Sequence, residues 1–403
     1  MISSQELDKL GPGLIRDVDD EFAYERLRYM DDTGDFGTFE NLENWVLAQL
    51  LVADRKARLG KRKTRDEHIF EVNGFERICD LAKDIVGQTY RPRPSMCFIA
   101  DKPVIREIFA AKYDDRLIHQ LVVSCTMPYI DRRLMYDSYS CRKGKGTSFG
   151  VRRMQEFMRK VSMNGTQETW VAKLDIQGFF MSIQRNLLFQ NIQRWLEKAF
   201  PNNGLIFRML LFLWHQIIFD DPLCGVDDRR DRTLMKKLPN SKSLFHQPLG
   251  QGLVIGNCTS QNAANIFLDP IDRLLKIVMR YKCMGRYVDD ISFVLSWSQK
   301  EQWKRDLIVI REALEASGLT LHPNKVVLQR MEHGLEFLGI RIFYDHLELA
   351  SRPKASLNTT ANEVAMGLRD VASLQSLLGF SGGANCIPLE KEIFDRLGWD
   401  YFY

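Results

Sequence analysis

Residues 287–295 have the sequence Tyr-Val-Asp-Asp-Ile-Ser-Phe-Val-Leu, in which two acidic residues interrupt a run of β-branched and aromatic ones. Such residues favour strands, and a short polar break between two strand-like runs is typical of a hairpin. The pattern therefore predicts a β-hairpin whose tight turn presents Asp289 and Asp290. Two like charges held together destabilise each other unless a cation lies between them. Magnesium, which prefers oxygen ligands, is the expected cation.

A third acidic residue follows a similar run more than a hundred residues earlier. Residues 170–174, Trp-Val-Ala-Lys-Leu, predict a short buried strand that Asp175 ends. We expect few other buried acids, so Asp175 is the natural partner of Asp289 and Asp290. Such carboxylates could bridge two metal ions about 4 Å apart, one activating an attacking 3′-hydroxyl and the other neutralising a leaving pyrophosphate. The alternative is that these aspartates only stabilise turns.

The composition limits the class of protein. The chain has 403 residues, 45% of them hydrophobic, with 56 Lys and Arg against 52 Asp and Glu, a net charge of +4. This predicts a globular protein of two or three packed units and excludes a histone-like polycation, so any nucleic-acid surface must be local. The eight cysteines form no C-x-x-C pair and are expected to be reduced thiols. With no export signal or apolar span, we expect a cytoplasmic protein without membrane contact.

Hydrophobic spacing predicts helices over residues 41–59, 149–161, 186–200 and 257–279. Another helix is expected from residue 114, with Asp114 or Asp115 as its N-cap. The Arg-Pro-Arg-Pro stretch at 91–94 opens an extended segment, and the polar residues 219–247 predict a loop or a small hairpin. Two basic stretches, the run from Arg58 to Arg65 and the glycine-rich turn at 141–147, are candidates for phosphate contact or, alternatively, solvated surface.

Tyr287-Val288-Asp289-Asp290 resembles the Y-x-D-D box of reverse transcriptases, and residues 173–180, Lys-Leu-Asp-Ile-Gln-Gly-Phe-Phe, resemble the first catalytic motif of that family. The resemblance covers roughly residues 95 to 345, with the motifs in the family's order. It implies an α+β fold with the right-hand architecture of polymerases. The implied parts are an N-terminal extension (1–90), fingers (91–165), a palm with an antiparallel sheet (166–345, with a fingers-like insertion at about 186–250) and a small helical thumb (346–403).

The resemblance also implies roles for individual residues. As an RNA-directed DNA polymerase, the chain would use two Mg²⁺ ions, with Mn²⁺ as a possible substitute. The catalytic residues implied are Asp175, Asp289, Asp290 and Lys325, the last near the leaving pyrophosphate as a possible general acid, and the metal site is Asp175, Ile176, Asp289 and Asp290. The nucleotide-binding residues implied are Arg106, Arg116, Phe179, Phe180 and Gln261. Phe180 lies where a bulky ring excludes a ribose 2′-hydroxyl, and Phe337, Leu338 and Gly339 resemble the primer grip.

Residues 255–261, Ile-Gly-Asn-Cys-Thr-Ser-Gln, are the most informative stretch for the subgroup. Most reverse transcriptases carry Gln-Gly at its start and Ser-Pro at its end, whereas the I-G-x-x-x-S-Q form is characteristic of the enzymes of diversity-generating retroelements. Ile255, Gly256, Ser260 and Gln261, with Arg142, are thereby implied at the template and in fidelity. The resemblance implies copying of a template-repeat RNA into cDNA with errors at adenines, for targeted mutagenic retrohoming. It also implies a small basic accessory variability protein, itself oligomeric, as a partner beside the template RNA, the cDNA or primer, and dNTPs.

Alternatives remain at this point. The nearest is a retron-like or antiphage-defence reverse transcriptase, in which the 255–261 motif has simply drifted. From a different class, the chain could be an inactive polymerase-like scaffold that binds RNA. An RNA-dependent RNA polymerase is disfavoured by the bulky Phe180.

Overall fold

The computed structural model describes residues 14–15, 22–58, 65–101, 104–382, 384 and 386–399. The helices span Ala23–Thr33, Leu42–Arg58, Arg65–Val72, Gly74–Val86, Tyr113–Ile130, Thr147–Val161, Phe179–Ser182, Arg185–Ala199, Leu205–Phe219, Arg232–Met235, Cys258–Arg273, Trp297–Ala316, Ser351–Ala365, Val371–Ser381 and Ile387–Leu397. The strands are β1 (Met96–Ala100), β2 (Arg106–Ala110), β3 (Thr169–Asp175), β4 (Asp227–Asp228), β5 (Met284–Tyr287), β6 (Asp290–Ser296), β7 (Val327–Arg330), β8 (Leu335–Phe337), β9 (Ile340–Ile342) and β10 (Leu347–Leu349). The four helices predicted from spacing, the one expected near residue 114 and the two strands around the acidic residues are therefore confirmed. The basic run at 61–65, apart from the backbone of Arg65, lies outside the described residues.

The chain forms two compact units, each built from separate stretches of sequence. The first comprises Met1–Met135, Gln177–Pro270 and Ala316–Leu319. Its small sheet has the order β2-β1-β4, with β1 and β2 antiparallel. A cluster of Cys97, Phe109, Met181 and Leu244 packs beneath this sheet. Because β1 and β2 alternate buried and more exposed residues, one face of the sheet is apolar and packs on this cluster.

The second unit comprises Tyr136–Ile176, Ile271–Glu315 and Thr320–Tyr403. Its main sheet is antiparallel, with the order β5-β6-β3-β7, and a smaller antiparallel sheet has the order β10-β9-β8. The helix Thr147–Val161 packs against both sheets through Val151, Met154, Phe157 and Met158, which share a core cluster with Val171, Val294 and Phe337. The strand pairs are antiparallel apart from β1 with β4, and the sheets are combined with many helices, which confirms the predicted α+β class.

One local prediction is corrected by the structure, and another, which left two forms open, is decided by it. Neither Asp114 nor Asp115 is an N-cap, because the helix begins at Tyr113. Asp114 forms ion pairs with Arg77 and Arg93, and Asp115 accepts a hydrogen bond from the Tyr90 hydroxyl at 2.8 Å. Leaving a buried carboxylate without a partner costs more free energy than leaving a helix end without a cap. The two aspartates therefore lie inside the first turn, where they reach these partners. The polar stretch 219–247 is a loop with short elements rather than a hairpin, since β4 pairs parallel to β1.

The expectation of few other buried acids is also wrong. Glu107, Asp114, Asp137, Asp269 and Asp272 are all nearly inaccessible to solvent. Four of them have basic partners: Arg230 for Glu107, Arg77 and Arg93 for Asp114, Arg153 and Lys276 for Asp137, and Arg286 for Asp272. Because each basic partner is distant in sequence, local composition gave no sign of these buried pairs. Burial alone therefore does not distinguish a catalytic acid in this chain.

The cysteines and the helices test two of the expectations drawn from the composition. All eight cysteines are free thiols. Across the described ranges, no helix combines the length and the apolar character needed to span a membrane.

Gly285 of β5 allows a close approach that the second unit needs. A Cβ atom at this position would lie 2.6 Å from the Tyr139 Cε2 atom. We predict that Gly285→Ala lowers the free energy of unfolding by about 1–3 kcal/mol, because the buried ring of Tyr139 cannot move without disturbing the core. Urea denaturation is the measurement. Gly379→Ala is the matched control: a Cβ there meets nothing within 4 Å, so stability should hold or rise by up to about 1 kcal/mol. Equal stability of the two variants would contradict the prediction.

Candidate active site

Strand pairing brings the three predicted aspartates to one end of the main sheet in the second unit. Asp175, the last residue of β3, is directly opposite Asp290, the first residue of β6. Tyr287 pairs with Asp290 across the hairpin, so Val288 and Asp289 form a two-residue turn. The Ile176 backbone N–H donates to the Asp289 carbonyl at 3.3 Å, which ties the turn to the end of β3. Residues that are far apart in sequence thus form a single acidic site.

The turn has an unfavourable backbone conformation. Val288 has a φ of 56°, in the left-handed region that β-branched residues rarely adopt. Such a conformation costs on the order of 1–3 kcal/mol and persists only where the surroundings hold it. Glycine or asparagine would be the usual residue here. The surrounding contacts must therefore fix the position of Asp289, because local preference does not.

The three carboxylates repel one another. Burial, reinforced by the neighbouring charges of Asp175 and Asp290, raises the pKa of Asp289 to about 6, against the opposing effect of Lys325. Burial also raises the pKa of Asp290, an effect that the Lys173 ammonium partly offsets. A raised carboxyl pKa means that the site disfavours its own negative charge. Positive charge brought to this site is therefore stabilised.

Two lysines supply part of that positive charge. The Lys325 Nζ atom lies 2.9 Å from an Asp175 carboxylate oxygen, and the Lys173 Nζ atom lies 2.6 Å from an Asp290 carboxylate oxygen. Lys173 also donates to the Glu336 carbonyl at 2.9 Å. Asp289 differs from both: within the described residues its side chain has no ion pair. Lys173 was missed as a site residue by the sequence analysis, although its position two residues before Asp175 places it on the same face of β3.

The donor set can be tested against a divalent cation. Among the residues that the structure describes, no three His, Cys, Asp or Glu side chains are gathered closely enough to hold a metal ion as they stand. The chemistry nevertheless fits, since Asp175, Asp289 and Asp290 lie at one end of the same sheet and carboxylate oxygens are the ligands that hard cations prefer. Binding of such an ion would require Lys325 and Lys173 to release the carboxylate oxygens that they now contact.

A buried arginine supports the turn. Arg286 is completely buried, and its Nε and Nη2 atoms donate to the two carboxylate oxygens of Asp272 at 2.8 and 2.7 Å. Its Nη1 atom donates to the Val288 carbonyl at 2.9 Å, and Nη2 also donates to the Ser138 hydroxyl at 3.1 Å. Arg286, Asp272 and Ser138 were not predicted as site residues. A charged residue directly before Tyr287, in a strand that is otherwise apolar and buried, was the feature of the sequence that could have indicated Arg286.

The residues expected at the sugar and at the nascent base pair lie in the first unit, and two of them, Phe180 and Ile255, pack against one apolar cluster. Phe179 is buried. Phe180 is partly exposed and packs against the cluster of Cys97, Phe109, Met181 and Leu244. Ile255 packs against the same cluster. The Leu253 N–H donates to the Phe180 carbonyl at 2.8 Å. The structure therefore brings Phe180 and the start of the 255–261 motif together.

Backbone contacts hold the 255–261 motif against β2. The Phe109 N–H donates to the Ile255 carbonyl at 2.9 Å. Gly256 has a φ of 134°, and a Cβ there would lie 2.6 Å from the Phe109 carbonyl oxygen, so only glycine fits. Further along, the Thr259 hydroxyl is 2.9 Å from Nδ1 of the buried His119. Burial lowers the pKa of His119 to about 4, which keeps the ring neutral. Ser260 is buried and Gln261 is exposed.

The remaining predicted residues have varied surroundings. Arg106 is exposed at the start of β2, and the Arg116 Nε atom donates to the Ala111 carbonyl at 2.9 Å. Both belong to the first unit, while Arg142 and the primer-grip residues belong to the second. The Arg142 Nη1 atom donates to the Ser138 carbonyl at 2.9 Å. The role of each of these arginines stays a prediction, because their contacts explain local structure alone.

The expected primer-grip segment is a hairpin, as its sequence suggests. Phe337 ends β8 and is fully buried, and Ile340 begins β9. The two turn residues, Leu338 and Gly339, have φ values of 53° and 83°. Positive φ at both central positions is the arrangement that matches the twist of a two-residue hairpin.

One family of known proteins matches the sequence of this chain. The sequence matches the reverse transcriptase (RNA-dependent DNA polymerase) family over residues 101–342. No curated protein sequence matches the chain. Among solved structures, the chain is similar to telomerase from Candida Tropicalis in complex with a TWJ fragment of telomeric RNA. The sequence identity is 11%, the match covers 77% of this chain and 56% of that chain, and the TM-score is 0.44. This chain thus spans just over half the length of that telomerase chain.

Proposed function

Because the chain belongs to the reverse transcriptase family, which makes it an RNA-directed DNA polymerase, we propose that Asp175, Asp289 and Asp290 are its catalytic acids. The observation that carries this proposal is the register of β3 and β6, which places Asp175 opposite Asp290 and beside the turn of Asp289. The division into N-terminal extension, fingers, palm and thumb, with parts beginning at residues 91, 166 and 346, belongs to the same proposal.

Mg²⁺ is the cofactor we propose, with Mn²⁺ as a substitute. Asp175 and Asp289 would hold it, with Asp290 more peripheral and the Ile176 backbone alongside. When bound, two such ions supply activation of the 3′-hydroxyl and neutralisation of the leaving pyrophosphate. Lys325 is half-exposed and already lies 2.9 Å from an Asp175 oxygen, so it can leave that contact to meet a phosphate or deliver a proton. Arg106 is proposed to hold the incoming triphosphate, because its guanidinium is exposed and a charged fork suits phosphate oxygens.

Asp289→Asn tests the catalytic assignment. We predict a loss of primer extension of at least about 1,000-fold, because bound metal contributes several kcal/mol to the transition state. The melting temperature should hold or rise, since the substitution removes one of three mutually repelling charges. Extension of a DNA primer on an RNA template with Mg²⁺ and dNTPs is the measurement. Asp345→Asn, an exposed aspartate of the same unit, is the matched control and should be fully active. Retained activity of Asp289→Asn would refute the assignment, whereas a wild-type chain that incorporates no dNTP would favour an inactive polymerase-like scaffold.

Phe180 is proposed to exclude the ribose 2′-hydroxyl. Its ring is only partly buried at the edge of the apolar cluster, so part of it is accessible to a sugar. We predict that Phe180→Ala raises the ratio of kcat/KM for rNTP over dNTP by about 10- to 200-fold, the usual range for removing a steric exclusion in a pocket. Phe245→Ala is the matched control: it removes another partly buried ring from the same cluster and should leave this ratio unchanged. An unchanged ratio in Phe180→Ala would show that sugar selection lies elsewhere.

Within the family, we propose that the chain copies a template-repeat RNA into cDNA for mutagenic retrohoming, with frequent errors at adenines. The support is the Ile255-Gly256 start and Ser260-Gln261 end of the motif. The Ile255 side chain packs against an apolar cluster, where the amide of a glutamine would lack hydrogen-bond partners, so we propose that base-pair checking by such an amide is lost. A small basic accessory protein, oligomeric in itself, is the proposed partner beside template RNA, primer and dNTPs.

Sequencing of cDNA made on a defined RNA template tests this subgroup. We predict misincorporation opposite adenine at least about 10-fold above that opposite the other bases, since a difference of about 1.4 kcal/mol in base-pair selection is sufficient. Ile255→Gln combined with Gln261→Pro should reduce the adenine excess, and Cys258→Ala, inside the same motif, is the control. Errors spread evenly over the four bases would instead favour a retron-like or antiphage-defence enzyme.

A further inference from the structure

The buried guanidinium of Arg286 forms hydrogen bonds to Asp272, Ser138 and Val288, and the stability of the fold does not by itself explain them. The side chain is completely buried, and its guanidinium forms a two-point ion pair with Asp272. Asp272 lies near the end of the helix Cys258–Arg273 and is itself buried. A buried ion pair of this kind contributes little net stability, since well-packed apolar residues of similar volume often serve as well or better. Stability is therefore a weak explanation for the pair.

The guanidinium is held on several sides. Its Nη2 atom donates to the Ser138 hydroxyl at 3.1 Å as well as to Asp272. The backbone is fixed too, because the Arg286 N–H donates to the Asp137 carbonyl and the Tyr139 N–H donates to the Arg286 carbonyl, both at 2.9 Å. Residues 137–139 thus pair with β5 at its outer edge. Such a side chain has almost no freedom left, so its remaining contacts have fixed positions.

Another contact of the guanidinium reaches the turn. The Arg286 Nη1 atom donates to the Val288 carbonyl at 2.9 Å, and that carbonyl is part of the peptide that joins Val288 to Asp289. The same valine has the unfavourable φ of 56°. A charged donor binds a carbonyl more strongly than a neutral one, so it can offset the cost of this conformation. Without it, the turn is free to relax to a conformation that valine prefers.

From this arrangement we propose that Arg286, oriented by Asp272 and Ser138, is a positioning residue that fixes the peptide ahead of Asp289 and thereby sets where the Asp289 carboxylate lies. The inference rests on the proposed role of Asp289. Arg286 touches no reacting atom and acts through the Val288 carbonyl. Its effect should therefore be on the chemical step and on metal affinity rather than on folding.

The test is a double variant, Arg286→Met with Asp272→Leu, which removes both charges and keeps the volume. The full chain is compared with the wild type by thermal unfolding, by kcat for dNTP incorporation and by the dissociation constant for Mn²⁺ from calorimetry. We expect a melting temperature within a few degrees of the wild type, a kcat lowered by about 10- to 100-fold, as a misplacement of about 1 Å produces, and weaker Mn²⁺ binding. A kcat within threefold of the wild type, or an unchanged Mn²⁺ dissociation constant, would overturn the proposal.

Arg286→Lys serves if the double variant does not fold. Lysine keeps the charge beside Asp272, but one ammonium cannot reproduce the planar fork that reaches Asp272, Ser138 and the Val288 carbonyl together. We expect a folded protein with the same loss of kcat and of Mn²⁺ affinity, whereas full activity would overturn the proposal. Arg77→Met with Asp114→Leu is the control for deleting a partly buried ion pair away from the acidic turn and should keep kcat. If Asp289→Asn keeps both extension and Mn²⁺ binding, the catalytic assignment itself fails; if only the Arg286 variants are normal, the positioning role alone fails.

Discussion

The pairing of β3 with β6 is the constraint on which the rest of the site depends. Seven residue pairs run from Thr169 opposite Ser296 to Asp175 opposite Asp290. Side chains alternate between the faces of a sheet, so a slip of one residue would move an aspartate to the wrong face. The apolar residues of β3 and β6 bury their side chains in the core, which fixes this register. Packing energy in the core is thus what brings the acidic residues together at the sheet's end.

The site combines this rigid base with unfavourable electrostatics. Burial and neighbouring negative charge raise the pKa of Asp289, and Lys173 and Lys325 each neutralise one of the other acids. The lysines can be exchanged for a divalent cation because they are long side chains with rotamer freedom, one of them half-exposed. A site that repels its own charge binds a cation more strongly than a relaxed one does. The backbone of Val288 is strained in the same way, and the buried Arg286 contacts its carbonyl. In both cases, long-range contacts hold a conformation that the local sequence does not favour.

Sequence alone predicted the parts of this arrangement that are encoded locally. The hairpin around Asp289 and the strand ending at Asp175 follow from short runs of residues, and both are confirmed. The Lys325 contact with Asp175, the Lys173 contact with Asp290 and the pair of Arg286 with Asp272 could not be predicted, because each depends on where separate segments meet. The same limit explains the error at Asp114 and Asp115, whose partners Arg77 and Tyr90 lie on another element. Local patterns thus identify candidate acids, but partners distant in sequence decide the role of each one.

We propose that Asp175 and Asp289 hold a divalent cation at the end of the main sheet of the second unit. Anomalous scattering from Mn²⁺, in crystals of the full chain with an RNA template, a DNA primer and an incoming dNTP, tests it most directly. We predict anomalous peaks at about 2.0–2.2 Å from carboxylate oxygens of both residues, with Lys325 moved off Asp175. Peaks elsewhere, or no peak between Asp175 and the turn at Asp289 in a complex that extends its primer, would contradict the claim.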